Sequence, residues 1–252
     1  MREEYVGQDL FGGFGTFFQV DAEQQSESFI TFSFHDSNGD PRRGVVAVMQ
    51  AMTPLHAYET TRNLIERYHP EIMVNVGIAG ALSDHLRLGD VLFASYVDNY
   101  DSAGKASAAG PNEFELHWSG QPYGTSEDLF RKLQRIWAFR KKLQIAWQDR
   151  CEHRLNTGIR SEIISRLSAE RMLGDRRQLE ARPIASGDTV GAAGAFKAQL
   201  LERNRKLFAI DMESAGFLKA RIASHARRQF LEVLINTPAR FGFPTNHRQT
   251  NY

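Results

Sequence analysis

The stretch that decides the fold is LFAIDMESAG, residues 207–216, in which an apolar run ends directly in acidic residues. Residues 207–210 are typical of a buried strand, and the pattern predicts a helix immediately after them. Asp211 and Glu213 flank Met212 at this junction, although a helix start usually needs only one capping residue. The additional carboxylate is therefore a candidate for binding a ligand.

Each residue at this junction also has an ordinary structural explanation. Asp211 can cap the helix, and Glu213 is favourable near the positive end of a helix when no ligand is present. Alternatively, Glu213 can accept hydrogen bonds from two adjacent hydroxyl groups of a ligand. Met212 can then place its polarisable thioether against a ring. These residues taken alone leave both explanations open.

The composition argues against several classes of function. The chain has 252 residues, with 31 basic and 30 acidic side chains and a net charge of +1, which does not favour nucleic-acid binding. Its single cysteine, Cys151, cannot form an intramolecular disulfide, and neither a signal peptide nor a long apolar run is evident. We therefore expect a cytoplasmic protein with no membrane partner. The eight histidines lack metal-site spacing, so we expect no metal and no cofactor.

The hydrophobic pattern predicts alternating strands and helices. Strands at about 29–34 and 44–49 flank an Asn38-Gly39 turn and form a hairpin. A helix begins at Pro54 after the capping residue Thr53 and stops at Pro70. Further strands are predicted at about 72–76, 90–97, 182–186, 206–210 and 230–236, and a further helix at about 194–204.

The middle of the chain has a different character. A long basic amphipathic helix is predicted to start after Thr125 or Ser126 and to carry Trp137 and Trp147, and a second helical piece follows at about 161–173. We interpret these segments as a helical insertion at about 125–180 within a single domain that spans residues 1–252. Packing on the sheet is the simpler interpretation, and a surface for docking a partner is the alternative.

Three segments place small or acidic residues where predicted strands end: VNVGIAG, IASGDT and AIDMESAG. Ligands bind outside the carboxyl ends of the strands in an open parallel sheet, so we expect the three segments to lie together. Gly77 and Gly80, with Ile78 and Ala79 between them, would let a ligand approach the backbone closely. A tight turn at GIAG, and Asp188 as the cap of the next helix, are the structural alternatives.

In order and spacing, VNVGIAGAL, LRLGDVLFAS, IASGDTV and FAIDMESAGF resemble the successive motifs of the nucleoside phosphorylase and nucleosidase superfamily. The resemblance covers roughly residues 29–220. It implies a phosphorylase/hydrolase-like α/β sandwich around a mixed, partly barrel-like sheet. It also implies cleavage of the N-glycosidic bond between a purine and a ribose, and assembly as a homo-oligomer.

The resemblance implies roles for individual residues. Glu213 corresponds to the carboxylate that holds the ribose 2′ and 3′ hydroxyls, Met212 to the residue against the sugar, and Asp211 to its supporting neighbour. The segment Gly77–Gly80 corresponds to the loop beside the nucleoside. Val190 stands where nucleosidases often place an aromatic residue against the purine.

The resemblance also implies an aspartate in a Ser-Asp pair at the end of the strand after this helix. Asn236 falls close to that place, and an amide can donate a hydrogen bond to the purine but cannot transfer a proton. We therefore treat Asn236 and Asp188 as the catalytic candidates. The family's first strand has no clear counterpart before Phe29, so we expect a domain altered or incomplete at both ends.

These observations predict a nucleosidase that hydrolyses purine nucleosides or nucleotides. Hydrolysis is favoured because no set of phosphate-binding arginines is evident. Two alternatives remain, a phosphate-dependent nucleoside phosphorylase and a nucleoside-binding module with impaired catalysis.

Overall fold

The described part of the chain forms two compact units. The computed structural model describes residues 19–20, 29–36, 38–49, 51–102, 104–110, 113–189, 194–224 and 229–237. The first unit ends at Ala51 and the second begins at Met52. The single domain over residues 1–252 stays a prediction.

The first unit contains a three-stranded antiparallel sheet in the order β1-β2-β3. Its strands are Gln19–Val20 (β1), Phe29–His35 (β2) and Pro41–Ala47 (β3). Asp36 stabilises the turn between β2 and β3, because its Oδ1 accepts the backbone N–H groups of Asn38 at 2.9 Å and Asp40 at 3.0 Å. The predicted hairpin is confirmed, although β3 begins at Pro41 rather than near residue 44.

The second unit alternates strands with helices, as the hydrophobic pattern predicts. The described strands are Ile72–Ala81 (β4), Val91–Asn99 (β5), Gly104–Gly110 (β6), Glu113–Trp118 (β7), Gln121–Gly124 (β8), Leu179–Ser186 (β9), Ala209–Asp211 (β10) and Gln229–Thr237 (β11). The described helices are Pro54–Tyr68 (α1), Glu127–Phe139 (α2), Lys141–Gly158 (α3), Ser161–Ala169 (α4), Gly194–Arg203 (α5) and Ser214–Ala223 (α6). Helix α1 begins as predicted, with Pro54 in its first turn and the Thr53 hydroxyl accepting the His56 N–H at 3.2 Å.

Five strands of the second unit close into a ring. They pair in the order β11-β4-β10-β9-β5, and β11 pairs with β5 as well as with β4. The β4–β11, β9–β10 and β5–β9 pairs are parallel, whereas β4–β10 and β5–β11 are antiparallel. β8 adds to β5 in antiparallel orientation. The expected α/β architecture with a mixed, partly barrel-like sheet is therefore confirmed.

Helix α6 packs tightly between the ring and helix α1. Phe217 on α6 contacts Phe230 on β11 with ring centroids 5.0 Å apart, and both side chains are buried. Gly216 has no room for a side chain, because a Cβ there would lie 1.9 Å from the carbonyl oxygen of Pro54 at the start of α1. The close approach of α1 and α6 therefore requires glycine at this position.

The predicted long amphipathic helix is broken at Arg140 into α2 and α3. The rings of Trp137 and Trp147 pack edge to face across the break, with centroids 5.4 Å apart. Residues ten apart on one straight helix would lie about 15 Å apart along its axis, so this contact requires the break. We call α2, α3 and α4 together the helical insertion.

Candidate active site

The carboxyl ends of β5, β9 and β10 lie next to one another. These strands run in parallel, and their register aligns Asn99, Ser186 and Asp211 in one row. The backbone N–H of Tyr100, just beyond β5, donates to the carbonyl of Ser186 at 3.2 Å. We call the residues joined at these ends the strand-end cluster: Tyr100, Asp101, Ser186–Thr189 and Asp211–Ala215.

Asp211 is the residue that caps helix α6. Its buried Oδ2 accepts the backbone N–H of Ser214 at 3.0 Å and also accepts the hydroxyl of Ser214. Burial raises the pKa of Asp211, and hydrogen bonds from Ser214 and Ser186 partly offset that rise. Because Asp211 supplies the cap, Glu213 is free for another role.

Glu213 stands directly before α6, and its side chain does not cap the helix. The residue is 9% exposed, and its Oε2 accepts the backbone N–H of Met212 at 3.3 Å. Within the described ranges no ion pair involves Glu213. Burial raises the pKa of Glu213, and the negative charge of Asp211 raises it further. This is a nearly buried carboxylate with spare capacity to accept hydrogen bonds.

Met212 lies between the end of β10 and the start of α6, with a partly buried side chain. The structure therefore brings Asp211, Met212 and Glu213 together at one strand-to-helix junction, as the sequence predicts. Carboxylates at this position also complement the positive end of the α6 dipole.

Gly77–Gly80 lies within a strand, which corrects two expectations. β4 was expected to end near residue 76, but it continues to Ala81, so GIAG is neither a loop nor a tight turn. The reason is pairing on both sides: Gly77 pairs with Leu234 of β11, and Gly80 pairs with both Thr237 and Ile210.

β4 also runs in the opposite direction to β5, β9 and β10, so its carboxyl end does not lie in a row with theirs. β4 runs antiparallel to β10, with Ile210 opposite Gly80, so one further step of the same register sets Asp211 beside Ala79. The GIAG segment therefore lies alongside the acidic junction instead of ending next to it. Ala79 is buried, whereas the neighbouring Ile78 is 56% exposed on the other face of the strand.

Asn236 lies near the end of β11, where it pairs with Ala79. Since β4 separates β11 from β10, the Asn236 backbone is two strand spacings, about 10 Å, from the strand that carries Asp211. The register thus places Asn236 in the same part of the ring as the acidic junction.

The turn Gly187–Thr189 follows β9, and Asp188 is exposed within it. Helix α5 is described from Gly194, and residues 190–193 before it lie outside the described residues, so the alternative that Asp188 caps this helix stays a prediction. Val190 lies outside the described residues.

The sequence did not predict the contacts that hold this turn. The Tyr100 hydroxyl donates to the carbonyl of Thr189 at 2.8 Å and accepts the N–H of Thr189 at 3.2 Å. Asp101 Oδ2 accepts the N–H of Asp188 at 2.6 Å. Burial is the main reason that the pKa of Tyr100 rises to about 12, so its hydroxyl stays protonated. The only indication in the sequence was that Tyr100 and Asp101 follow a predicted strand, where site residues are common.

The described ranges contain no group of three or more His, Cys, Asp or Glu side chains arranged to hold a metal ion. Within the same ranges, no helix combines the length and apolar character needed to cross a membrane.

A closed five-stranded ring with an acidic strand-to-helix junction beside it defines the class of fold. The family model of the Phosphorylase superfamily matches residues 24–238, so the chain belongs to this superfamily. The resemblance noted from the sequence motifs is thereby confirmed.

Curated relatives include 5'-methylthioadenosine/S-adenosylhomocysteine nucleosidases. The protein from Staphylococcus epidermidis is 30% identical over 92 residues, which are 36% of this chain and 40% of the relative. A protein of the same name from Staphylococcus aureus is 30% identical over 94 residues, which are 37% of this chain and 40% of the relative. The chain thus spans 40% of the length of the curated relatives that it matches.

Solved structures match most of the chain in fold. The 5'-methylthioadenosine/S-adenosylhomocysteine nucleosidase of Neisseria meningitidis, in complex with methylthio-immucillin-A, has a TM-score of 0.58 at 14% identity, covering 92% of this chain and 83% of that chain. Futalosine hydrolase of Helicobacter pylori has a TM-score of 0.58 at 16% identity, covering 95% of this chain and 82% of that chain.

Proposed function

We propose that this protein is an enzyme that hydrolyses the N-glycosidic bond of a purine nucleoside or nucleotide. The observation that carries the proposal is Glu213, a nearly buried carboxylate without an ion-pair partner in the described ranges. A buried charge normally has a compensating partner, so an uncompensated carboxylate at a strand-end cluster indicates a site kept for a ligand. The names of the curated relatives and the family membership support the same reaction class.

The chemistry of bond cleavage explains why a carboxylate belongs here. As the purine leaves, the ribose acquires positive charge, and nearby negative groups stabilise that charge. In the proposal, Glu213 accepts hydrogen bonds from the 2′ and 3′ hydroxyls, and Met212 lies against the sugar ring. Asp211 supports both residues by fixing the start of α6. Gly77–Gly80 contributes to the wall around the nucleoside.

The leaving purine needs a proton or a hydrogen bond, and two residues are candidates. Asn236 can stabilise the developing negative charge by donating from its amide, although an amide cannot transfer a proton. Asp188, whose side chain is exposed, is the acidic candidate. General acid catalysis would contribute about 10²–10⁴-fold, so a site that relies on Asn236 should be slow.

The direct test is release of free purine from adenosine, methylthioadenosine, AMP and ATP at high protein concentration without added phosphate. We expect release from at least one of these compounds, with Glu213→Gln reducing kcat/KM at least 100-fold. Asp188→Asn tests whether Asp188 is the general acid. A tenfold or larger loss of kcat would assign this role to Asp188, and an unchanged kcat would leave Asn236 as the candidate that stabilises the leaving purine by a hydrogen bond. If none of the four compounds is cleaved or bound, the proposed function is wrong.

The same assay distinguishes phosphorolysis from hydrolysis. With adenosine, a phosphorylase would release adenine only when inorganic phosphate is added, and ribose 1-phosphate would accumulate. Hydrolysis of adenosine gives free ribose and does not depend on phosphate, and the other three compounds give the same products with their 5′ substituents retained.

A nucleoside-binding module is the second candidate, because Glu232 is the only acidic residue downstream of Glu213 in the sequence. Titration calorimetry would then show purine nucleoside binding that Glu213→Gln abolishes, without any turnover.

We also propose that the protein forms a homo-oligomer, which sedimentation velocity would detect.

A further inference from the structure

The Gly187–Thr189 turn uses all three of its backbone N–H groups for contacts inside the protein. Gly187 donates to the carbonyl of Asp211 at 3.3 Å, and Asp188 donates to Asp101 Oδ2 at 2.6 Å. Thr189 donates to the Tyr100 hydroxyl at 3.2 Å. Exposed turns commonly leave such groups to water. This turn is instead attached to β5 on one side and to β10 on the other.

Tyr100 is a rigid attachment point. Its side chain is fully buried, and its ring packs against Trp118 and Phe196 with centroids 5.5 Å and 5.7 Å away. Gly187 fits closely over it, because a Cβ at residue 187 would lie 2.6 Å from Tyr100 Cζ and from Asp101 Oδ2. The hydroxyl of Tyr100 therefore has a defined position under the turn.

The same hydrogen bonds connect the turn to the acidic junction. Beyond the bond from Gly187 to Asp211, the Ser186 hydroxyl oxygen accepts the N–H of Ala215 at 3.0 Å, in the first turn of α6. The end of β9 and the start of the helix next to Glu213 are therefore joined directly by hydrogen bonds. A change in the turn would alter the surroundings of Glu213.

We propose that Tyr100 and Asp101 are positioning residues that hold the Gly187–Thr189 turn as a preformed wall of the nucleoside site next to Glu213. The inference rests on the proposed function. When the wall is already ordered in the free protein, binding loses less conformational entropy, so the ligand binds more tightly. Neither residue needs to touch the substrate.

The test compares Tyr100→Phe with Tyr96→Phe as a matched control. Each change removes one tyrosine hydroxyl: Tyr96 lies in β5, and Tyr100 lies just beyond its end. The Tyr96 hydroxyl accepts a hydrogen bond from the Asn204 side chain at 3.2 Å rather than from the turn. We expect Tyr100→Phe to raise KM about tenfold with kcat changed less than threefold. Tyr96→Phe should leave KM within twofold of the wild-type value.

Asp101 offers a test by conservative substitution. Asp101→Asn keeps an oxygen that can accept from Asp188, so KM should stay within threefold of wild type. Asp101→Ala removes the acceptor and should raise KM as much as Tyr100→Phe does. Equal KM values for Asp101→Ala and Asp101→Asn, both near wild type, would overturn the role of Asp101.

Amide hydrogen exchange separates this inference from the proposed function. Tyr100→Phe should speed exchange of the Thr189 amide at least tenfold, and Asp101→Ala should do so for Asp188, whether or not a nucleoside is cleaved. Faster exchange without cleavage or binding by the wild type rejects the proposed function, and the inference with it. Cleavage by the wild type together with unchanged KM and unchanged exchange in Tyr100→Phe rejects the inference alone.

Discussion

Four polar side chains of the strand-end cluster are buried, those of Ser186, Asp211, Glu213 and Ser214, whereas in the helical insertion several apolar side chains are exposed. Helix α6 has six buried residues: Ser214, Ala215, Gly216, Phe217, Leu218 and Ala220. Helices α2 and α4 have none, and Gln148 is the buried residue of α3. The amphipathic pattern of α2 is clear in the sequence, yet Ile136 and Phe139 are exposed. Periodicity therefore predicts a helix more reliably than it predicts what covers the helix.

The two regions also differ in how they are attached. Within the strand-end cluster, Asp211 Oδ2 accepts the N–H of Ser214 and the Ser186 hydroxyl oxygen accepts the N–H of Ala215, both at 3.0 Å, so two strands are joined to one helix. In the insertion, Gln148 Nε2 donates to the carbonyl of the buried Arg177 at 3.0 Å, and Glu152 lies 3.9 Å from the Arg177 guanidinium. We expect substitutions of the buried residues of the cluster to change both stability and function, and substitutions in the insertion to change neither strongly.

Among the acidic residues of the strand-end cluster, the largest effect on stability should come from Asp211→Ala. The substitution leaves the N–H and hydroxyl of Ser214 without their buried acceptor, so the free energy of unfolding should fall by about 2–4 kcal/mol. Chemical denaturation measures this change. Asp188→Ala removes an exposed carboxylate and should change stability by less than about 0.5 kcal/mol. Equal losses in the two variants would contradict the difference that we draw between buried and exposed carboxylates.

Glu213→Gln should stabilise the protein while it impairs function. The pKa of Glu213 is raised in the folded protein, so folding favours the protonated form. Stability is therefore lost as pH rises from about 4.5 through the raised pKa, and Gln avoids this loss. At pH 7 the variant should be more stable by on the order of 1 kcal/mol, with nucleoside binding lost.

The control for this prediction is pH itself. Near pH 4 the stability difference between wild type and Glu213→Gln should largely disappear, because the wild-type side chain is then protonated. A difference that stays constant from pH 4 to pH 8 would show that the charge of Glu213 is not the cause.

Trp137→Ala should have a smaller effect that is confined to the insertion. The edge-to-face contact with Trp147 should contribute about 0.5–1.5 kcal/mol, and nucleoside cleavage should be unchanged. Trp118→Ala is the comparison, since its ring contacts Tyr100. If Trp137→Ala lowers kcat/KM as much as Trp118→Ala does, the insertion is coupled to the site.

Phe139→Ser should have the smallest effect. The side chain is 82% exposed at the end of α2, so unfolding free energy should change by less than about 0.5 kcal/mol. Phe230→Ala, which empties a fully buried position, should cost about 3–5 kcal/mol by the same denaturation measurement. A loss above about 1 kcal/mol for Phe139→Ser would mean that this side chain is covered in solution.

Local chemistry made part of the fold predictable from the sequence. The cap at Thr53 and Pro54 fixed the start of α1, and the apolar run before Asp211 fixed β10. The extension of β4 through Gly80 was missed because glycine carries no hydrophobic pattern, and only the pairing with β10 and β11 makes this segment a strand. The break at Arg140 was missed because the sequence around it has no proline or glycine to end a helix, and the contact between Trp137 and Trp147 appears only in the folded structure.

The site was predictable to a similar extent. The acidic junction could be identified because its three residues are adjacent in the sequence. Tyr100 could not be placed, because its hydroxyl contacts Thr189, which lies 89 positions further along the chain. The substrate-binding roles of Glu213, Met212 and Asp211, and the catalytic roles of Asn236 and Asp188, stay predictions for the assays above.

Because the ring closes only when β11 pairs with β4 and β5, the chain is prone to aggregate during synthesis until β11 has been made. Before Gln229–Thr237 leaves the ribosome, β4 has no partner along the edge that β11 will occupy. Unpaired strand edges recruit other chains, and pairing between segments far apart in sequence is slow. A nascent chain stalled before Gln229 should therefore depend on chaperones, and completing this last described strand should release it from them.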